Sequence, residues 1–153
     1  MVNIAKLTKK RLGELLMEEG LVTEDQVNEA LKQQAGTGEL LGEVLTKLGY
    51  VTEADIVRTL AAQFGLPYID VTKYQIPKEV QGVIPLSVVQ EHQLVPFDRI
   101  GNILLIAVSG VINPQVYETL EQQTGCRIFL YVSTATQVQR VLQVFGKEET
   151  KKP

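Results

Sequence analysis

Between residues 11 and 63 the apolar positions recur at helical spacing and do not alternate. Leu12, Leu15 and Leu16 fall on one face of a short helix, and Val27, Ala30 and Leu31 on one face of the next. The arrangement then returns, with Leu41, Val44 and Leu45 followed by Ile56 and Leu60. Gly20 and Gly49 stand where the short helices should end, because glycine accepts the left-handed conformation of that position. Leu21-Val22 and Tyr50-Val51 are expected to turn inward. Thr23 and Thr52 then read as N-caps of the second helices. Gln26 completes a capping box with Thr23, and Asp55 is a weaker match opposite Thr52. Thr8 and Thr37 are expected to cap the first helices. Gly36 and Gly65 are expected to follow the second ones.

After Leu66-Pro67 the pattern changes. Residues 77–92 read as two short helices split at Pro85. Leu94–Ile100 and Asn102–Ser109 read as strands around a Gly101-Asn102 turn. Asn113-Pro114 opens a helix that Gly125 closes. Arg127–Val132 is predicted as a third strand and Thr134–Phe145 as a last helix. The fold class is therefore α+β. A helical subdomain of two tandem helix–turn–helix units, residues 1–65, precedes a small three-stranded α/β subdomain, residues 66–146. The charged residues 147–153 are expected to be a disordered tail.

The helical half is a repeat with a spacing of 29 residues. Aligning 11–34 with 40–63 makes ten of 24 positions identical, among them Leu12/Leu41, Gly13/Gly42, Gly20/Gly49, Leu31/Leu60 and Gln34/Gln63. Gly13 and Gly42 lie inside first helical turns, where glycine costs about 1 kcal/mol relative to alanine. Something must approach the backbone there. A neighbouring helix and a ligand at a helix N-terminus are both open readings.

Composition removes several function classes. The apolar share is 44%, enough for a core, yet no apolar run is long enough to insert into a membrane. No secretory leader is recognisable, and a single cysteine allows no internal disulfide, so a cytoplasmic protein is expected. The net charge is −3. Residues 1–65 carry seven basic and ten acidic side chains, and the remainder eight of each. No nucleic acid partner is expected from that balance. A DNA-reading helix–turn–helix fails for the same reason, since Glu24, Asp25, Glu29, Glu53 and Asp55 would face phosphate. Enzymatic activity is not expected either. His92, with Ser87 and Asp98 in its vicinity, forms no persuasive constellation, and Cys126 reads as a buried thiol. One histidine and one cysteine make no usual zinc site, so neither a metal nor a cofactor is expected. The basic residues Lys6, Lys9, Lys10 and Arg11 read first as a solvated arm.

The pattern RLGxxLxxxGhhxxxxhxxxLxxQ, occurring twice with a five-residue spacer, resembles the MshE-type N-terminal (MshEN) domain of type II secretion and type IV pilus assembly ATPases. The resemblance covers residues 11–63 by motif and extends to about 146 through the α/β half. It implies a non-catalytic regulatory module that binds cyclic di-GMP. Carried over position by position, it implies ligand contacts from Arg11, Leu12, Gly13, Val27, Leu31 and Gln34 in copy one. In copy two the corresponding residues are Leu41, Gly42, Ile56, Leu60 and Gln63. An arginine can stack on guanine or pair with phosphate, glutamine can read a base edge, and the aliphatic residues can cover the base faces. Copy two departs from the motif at its opening, where Leu40 stands in place of arginine. The family's ATPase core is not present in these residues, because no G-x-x-x-x-G-K-[ST] phosphate loop occurs. The resemblance equally implies an adaptor, docking a secretion or pilus ATPase onto an inner-membrane assembly protein through the α/β half without any nucleotide.

Overall fold

The computed structural model describes residues 11–37 and 39–150, with side chains as far as Phe145. The repeat folds as four helices: α1 (Leu12–Glu18) and α2 (Glu24–Thr37) from copy one, α3 (Leu41–Lys47) and α4 (Glu53–Phe64) from copy two. Gly20 and Gly49 adopt φ of +74° and +80° and terminate α1 and α3. Both capping boxes are present. Thr23 N–H donates to Gln26 Oε1 at 2.9 Å, and Gln26 N–H returns to Thr23 Oγ1 at 3.2 Å. The Thr52–Asp55 box is equally complete at 3.0 and 3.1 Å, despite its shorter acid.

Two expected punctuation points fall elsewhere. Thr37 does not cap α3; its hydroxyl donates to Gln33 O at 3.2 Å and accepts from Glu39 N–H at 3.3 Å, closing α2 instead. Leu40 takes the N-cap position of α3 with no side-chain acceptor. Gly36 is inside α2, because one glycine in a last turn costs only about 1 kcal/mol and the Thr37 bond holds the turn around it. Thr8, Lys6, Lys9 and Lys10 lie outside the described residues.

The glycines inside α1 and α3 are explained by packing. A Cβ on Gly13 would sit 2.9 Å from Val27 Cγ1 and 3.3 Å from Leu41 Cδ2. A Cβ on Gly42 would sit 3.2 Å from both Ile56 Cδ1 and Leu12 Cδ2. Each copy thus lays its leading leucine over the other copy's glycine, while its own second helix packs from behind. The neighbouring-helix reading accounts for both glycines, with side chains of the second helix and of the other copy making the approach.

From Gly65, left-handed at φ +65°, the chain runs into the α/β half. Its elements are α5 (Lys78–Gln81), α6 (Leu86–His92), β1 (Leu94–Ile100), β2 (Ile103–Val108), α7 (Pro114–Thr124), β3 (Arg127–Val132) and α8 (Ala135–Thr150). The sheet order is β1-β2-β3. β1 and β2 pair antiparallel around Gly101-Asn102, whereas β2 and β3 are parallel and joined by the α7 crossover. The segment after α4 lies along the free edge of β3, with Ile69 N–H to Val132 O and Val132 N–H to Pro67 O both at 2.9 Å. Sequence periodicity gave no sign of that edge contact, which spans only a few residues. A 3-10 turn, Val71–Lys73, follows it. Asn113 caps α7 through Gln115 N–H at 2.8 Å, and Gly125 ends it at φ +68°.

The last helix passes the expected stop at Phe145 and continues to Thr150, so residues 147–150 are helical and not a disordered tail. Lys147, Glu148 and Glu149 favour helix strongly enough to carry it past Gly146. Residues 151–153 lie outside the described residues. One buried apolar cluster runs through both halves, from Leu16, Leu45 and Leu60 through Phe64 and Leu66 to Val132 and Val138.

Two outcomes are expected from this packing. Gly13→Ala should lower stability by about 1–3 kcal/mol in urea unfolding, because Val27 is β-branched and cannot rotate its methyl away. Gly42→Ala should cost clearly less, since the groups it meets are the ends of flexible side chains. The Thr52 backbone N–H holds the Asp55 carboxyl below its ordinary value of 3.8. The contribution of that box is therefore complete above 3.8 and is lost as pH falls through the folded-state value. The stability gap between wild type and Asp55→Asn should narrow over that acid range, followed by thermal unfolding.

Candidate functional site

A cavity of about 650 Å³ lies between the helical repeats and the α/β half. Its volume falls within the range of about 300–1,000 Å³ usual for small-molecule sites. One wall comes from the openings of both repeats: Arg11 and Leu12 at the start of α1, and Leu40, Leu41 and Gly42 at the start of α3. Leu31 and Gln34 reach it from α2, and Ile56 from α4. The facing wall comes from the end of α6, the β2–α7 loop and the β3–α8 loop, with His92, Gln93, Ser109, Asn113 and Thr134 as its polar members.

Seven of the eleven residues expected at the site meet at this cavity: Arg11, Leu12, Leu31, Gln34, Leu41, Gly42 and Ile56. The other four do not. Gly13 and Val27 are packed against one another behind the wall. Leu60 is completely buried in the core. Gln63 is directed to α1, where its Nε2 donates to Glu19 Oε1 at 2.8 Å. The reason is positional: the second helix of each copy meets different neighbours. α2 borders the cavity at its C-terminal half, whereas α4 packs on β3 and into the shared core.

The polar chemistry of the two copies is correspondingly unequal. Arg11 and Gln34 make no side-chain hydrogen bond or ion pair among the described residues, so both are available to a ligand. In copy two the equivalent positions are an aliphatic Leu40, 38% exposed at the cavity, and a Gln63 already engaged. Acidic side chains also line the space, and two of them are tied to the far half. Glu53 Oε1 accepts from Thr136 N–H at 2.8 Å and from Thr136 Oγ1 at 2.7 Å, at the first turn of α8. Glu43 Oε1 accepts from Gln139 Nε2 at 2.7 Å. Copy two thus holds α8, while copy one presents the free polar groups.

The α/β wall was missed by motif reasoning, although a signal existed. Ser109-Gly110 and Ser133-Thr134 directly follow the carboxyl ends of the parallel strands β2 and β3. Ligands commonly bind outside the carboxyl ends of parallel strands. Thr134 also opens a third capping box, with Gln137, at 3.0 and 3.1 Å. Among the described residues no cluster of three or more histidine, cysteine or acidic side chains could hold a metal ion. No helix there is long and apolar enough to cross a membrane.

Comparison with known proteins agrees with this architecture. The chain is 27% identical over 139 residues to the type IV pilus assembly ATPase PilB of Myxococcus xanthus, covering 91% of this chain and 25% of that protein. It therefore spans about a quarter of the length of that relative. Among solved structures, MshE with cdg superposes at a TM-score of 0.64 with 30% identity, over 90% of this chain and 99% of that one. The N-terminal domain of XpsE shares the fold at a TM-score of 0.62 and 22% identity, over 87% and 92%. The MshEN domain model matches residues 64–151, which take in the end of α4 and the whole α/β half. With more than half of its residues inside that match and the repeat fold beside it, the chain belongs to the MshEN domain family.

Proposed function

We propose that this domain is a receptor for cyclic di-GMP, seated in the cavity between the repeats and the α/β half, and that it regulates a secretion or pilus motor without catalysing a reaction itself. The observation that carries this reading is the pair of unengaged polar side chains, Arg11 and Gln34, on an otherwise aliphatic wall formed by the starts of both repeats. A guanidinium can stack on a guanine face or meet a phosphate, and the leucines supply apolar cover for the base. The cyclic di-GMP complex of the similar MshE supports the choice of ligand. Regulation would follow from the seam. Glu43 and Glu53 line the cavity and also hold the first turns of α8, so an occupant alters the contacts that fix that helix. The machinery addressed would be cytoplasmic, in line with the pilus ATPase relatives.

A second reading is a docking adaptor that needs no nucleotide. Its support is the end of the β1–β2 hairpin, where the apolar Ile100 is 63% exposed.

Isothermal titration of the 153-residue chain with cyclic di-GMP separates the two. Low-micromolar binding, about −8 kcal/mol, is the expected result. Arg11→Ala combined with Gln34→Ala should weaken it at least tenfold. Leu40→Arg should strengthen it several-fold by restoring the second cation. Absence of heat and of any thermal shift would sink the receptor reading and leave the adaptor.

A further inference from the structure

The α/β wall of the cavity carries unengaged groups of its own, gathered at one end of the sheet. Leu94 at the start of β1 pairs with Val108 at the end of β2, so the end of α6 and the start of the β2–α7 loop lie side by side. His92 comes from the first and Ser109 from the second, and both line the cavity. Ser109 is only 9% exposed. A hydroxyl so placed normally finds a partner. Its Oγ makes no hydrogen bond among the described residues. It is not sealed off either, since the one unpartnered side-chain polar atom closed to solvent there is Gln93 Oε1. The Ser109 hydroxyl is therefore unbonded and open on the cavity side.

The loop leads into α7, a helix of 11 residues whose N-terminus borders the same cavity through Asn113 and Val116. Pro114 brings no N–H, and Gln115 N–H is taken by Asn113 Oδ1 at 2.8 Å. The Val116 N–H has no acceptor among the described residues and lies at the positive end of the helix. His92 adds a third group. Its side chain is 30% exposed, and its Nε2 is 3.9 Å from Glu91 Oε2, beyond hydrogen-bond length. Neither ring nitrogen is hydrogen-bonded among the described residues.

A hydroxyl, a free helix-end amide and an imidazole can all donate. Such donors, set outside the carboxyl ends of parallel strands, suit a phosphate. The opposite wall lacks this chemistry in one place. A cyclic dinucleotide has two phosphodiester groups, but the repeats bring one cation, Arg11, with Leu40 at the second position. The cavity carboxylates Glu53 and Glu43 are held by Thr136 and Gln139.

We propose that Ser109 Oγ, Val116 N–H and the His92 ring form a phosphate subsite for the second phosphodiester, leaving the first to Arg11. The proposal rests on the cyclic di-GMP reading above. It makes affinity depend on pH, because a protonated ring holds an anion better than a neutral one. The described charged groups around His92 are Glu91 beside it and Arg11, Glu43 and Glu53 on the cavity. The elements packed on α6 add Arg140 from α8 and Asp98 and Arg99 from β1. Carboxyl and guanidinium groups as a class keep one charge between pH 6 and 8, as do a phosphodiester and guanine; histidine is the type that changes there.

The test is titration of the full chain with cyclic di-GMP at pH 6 and pH 8, using wild type, Ser109→Ala and His92→Gln. Wild type should bind several-fold more tightly at pH 6. His92→Gln should show one affinity at both values. Ser109→Ala should bind about tenfold more weakly at both and keep the wild-type ratio between them. Wild-type affinity in Ser109→Ala, a wild-type chain indifferent to pH, or a pH dependence that survives in His92→Gln overturns the subsite and leaves the receptor reading standing. A wild-type chain that binds at neither pH overturns both.

Discussion

Everything in the helical half depends on how closely α1 and α3 approach. Leu12 lies over Gly42 and Leu41 over Gly13, and a single methyl at either glycine would meet atoms within 3.3 Å. The exchange is reciprocal, like an interface between two copies of one subunit, but both partners are in one chain. It fixes the starts of both helices side by side, and those starts form one wall of the cavity. Without the glycines the leucines would be held apart and the wall would lose its continuity. The helical cost of two glycines is small beside the packing they permit.

Duplication has left two halves that are alike in frame and unlike in use. The frame is conserved within the chain: terminating glycines, threonine caps, a buried valine after each turn. The uses have separated. Copy one keeps an arginine and a glutamine unengaged at the cavity, whereas copy two spends its polar groups on the rest of the protein, Gln63 on α1 and Glu43 and Glu53 on α8. A symmetric ligand would therefore meet an asymmetric receptor.

What the sequence makes legible is what is decided locally. A capping box involves residues three apart, so Thr23 with Gln26 and Thr52 with Asp55 can be read from the chain alone. The same holds for Gly20, Gly49, Gly101 and Gly125, and for the strands on either side of Gly101. Residues whose fate is set at a distance were not legible. Gln63 and Gln34 are identical by motif, and only a glutamate 44 residues away decides that one of them is withdrawn. Leu60 repeats Leu31, but it faces the core because α4, unlike α2, lies against β3. The α/β wall of the cavity carries no repeat at all, so its residues emerge from strand topology and not from motif.

The bonds that close the seam span very long stretches of chain: 83 residues between Thr136 and Glu53, 96 between Gln139 and Glu43. The caps and turns that shape each repeat span three or four. The entropy of gathering distant segments is met only when the whole domain assembles. The repeats by themselves supply a ligand with only one wall, half a boundary. The binding space is a property of the completed fold, and any state that separates the two halves, however helical, has no enclosure to offer.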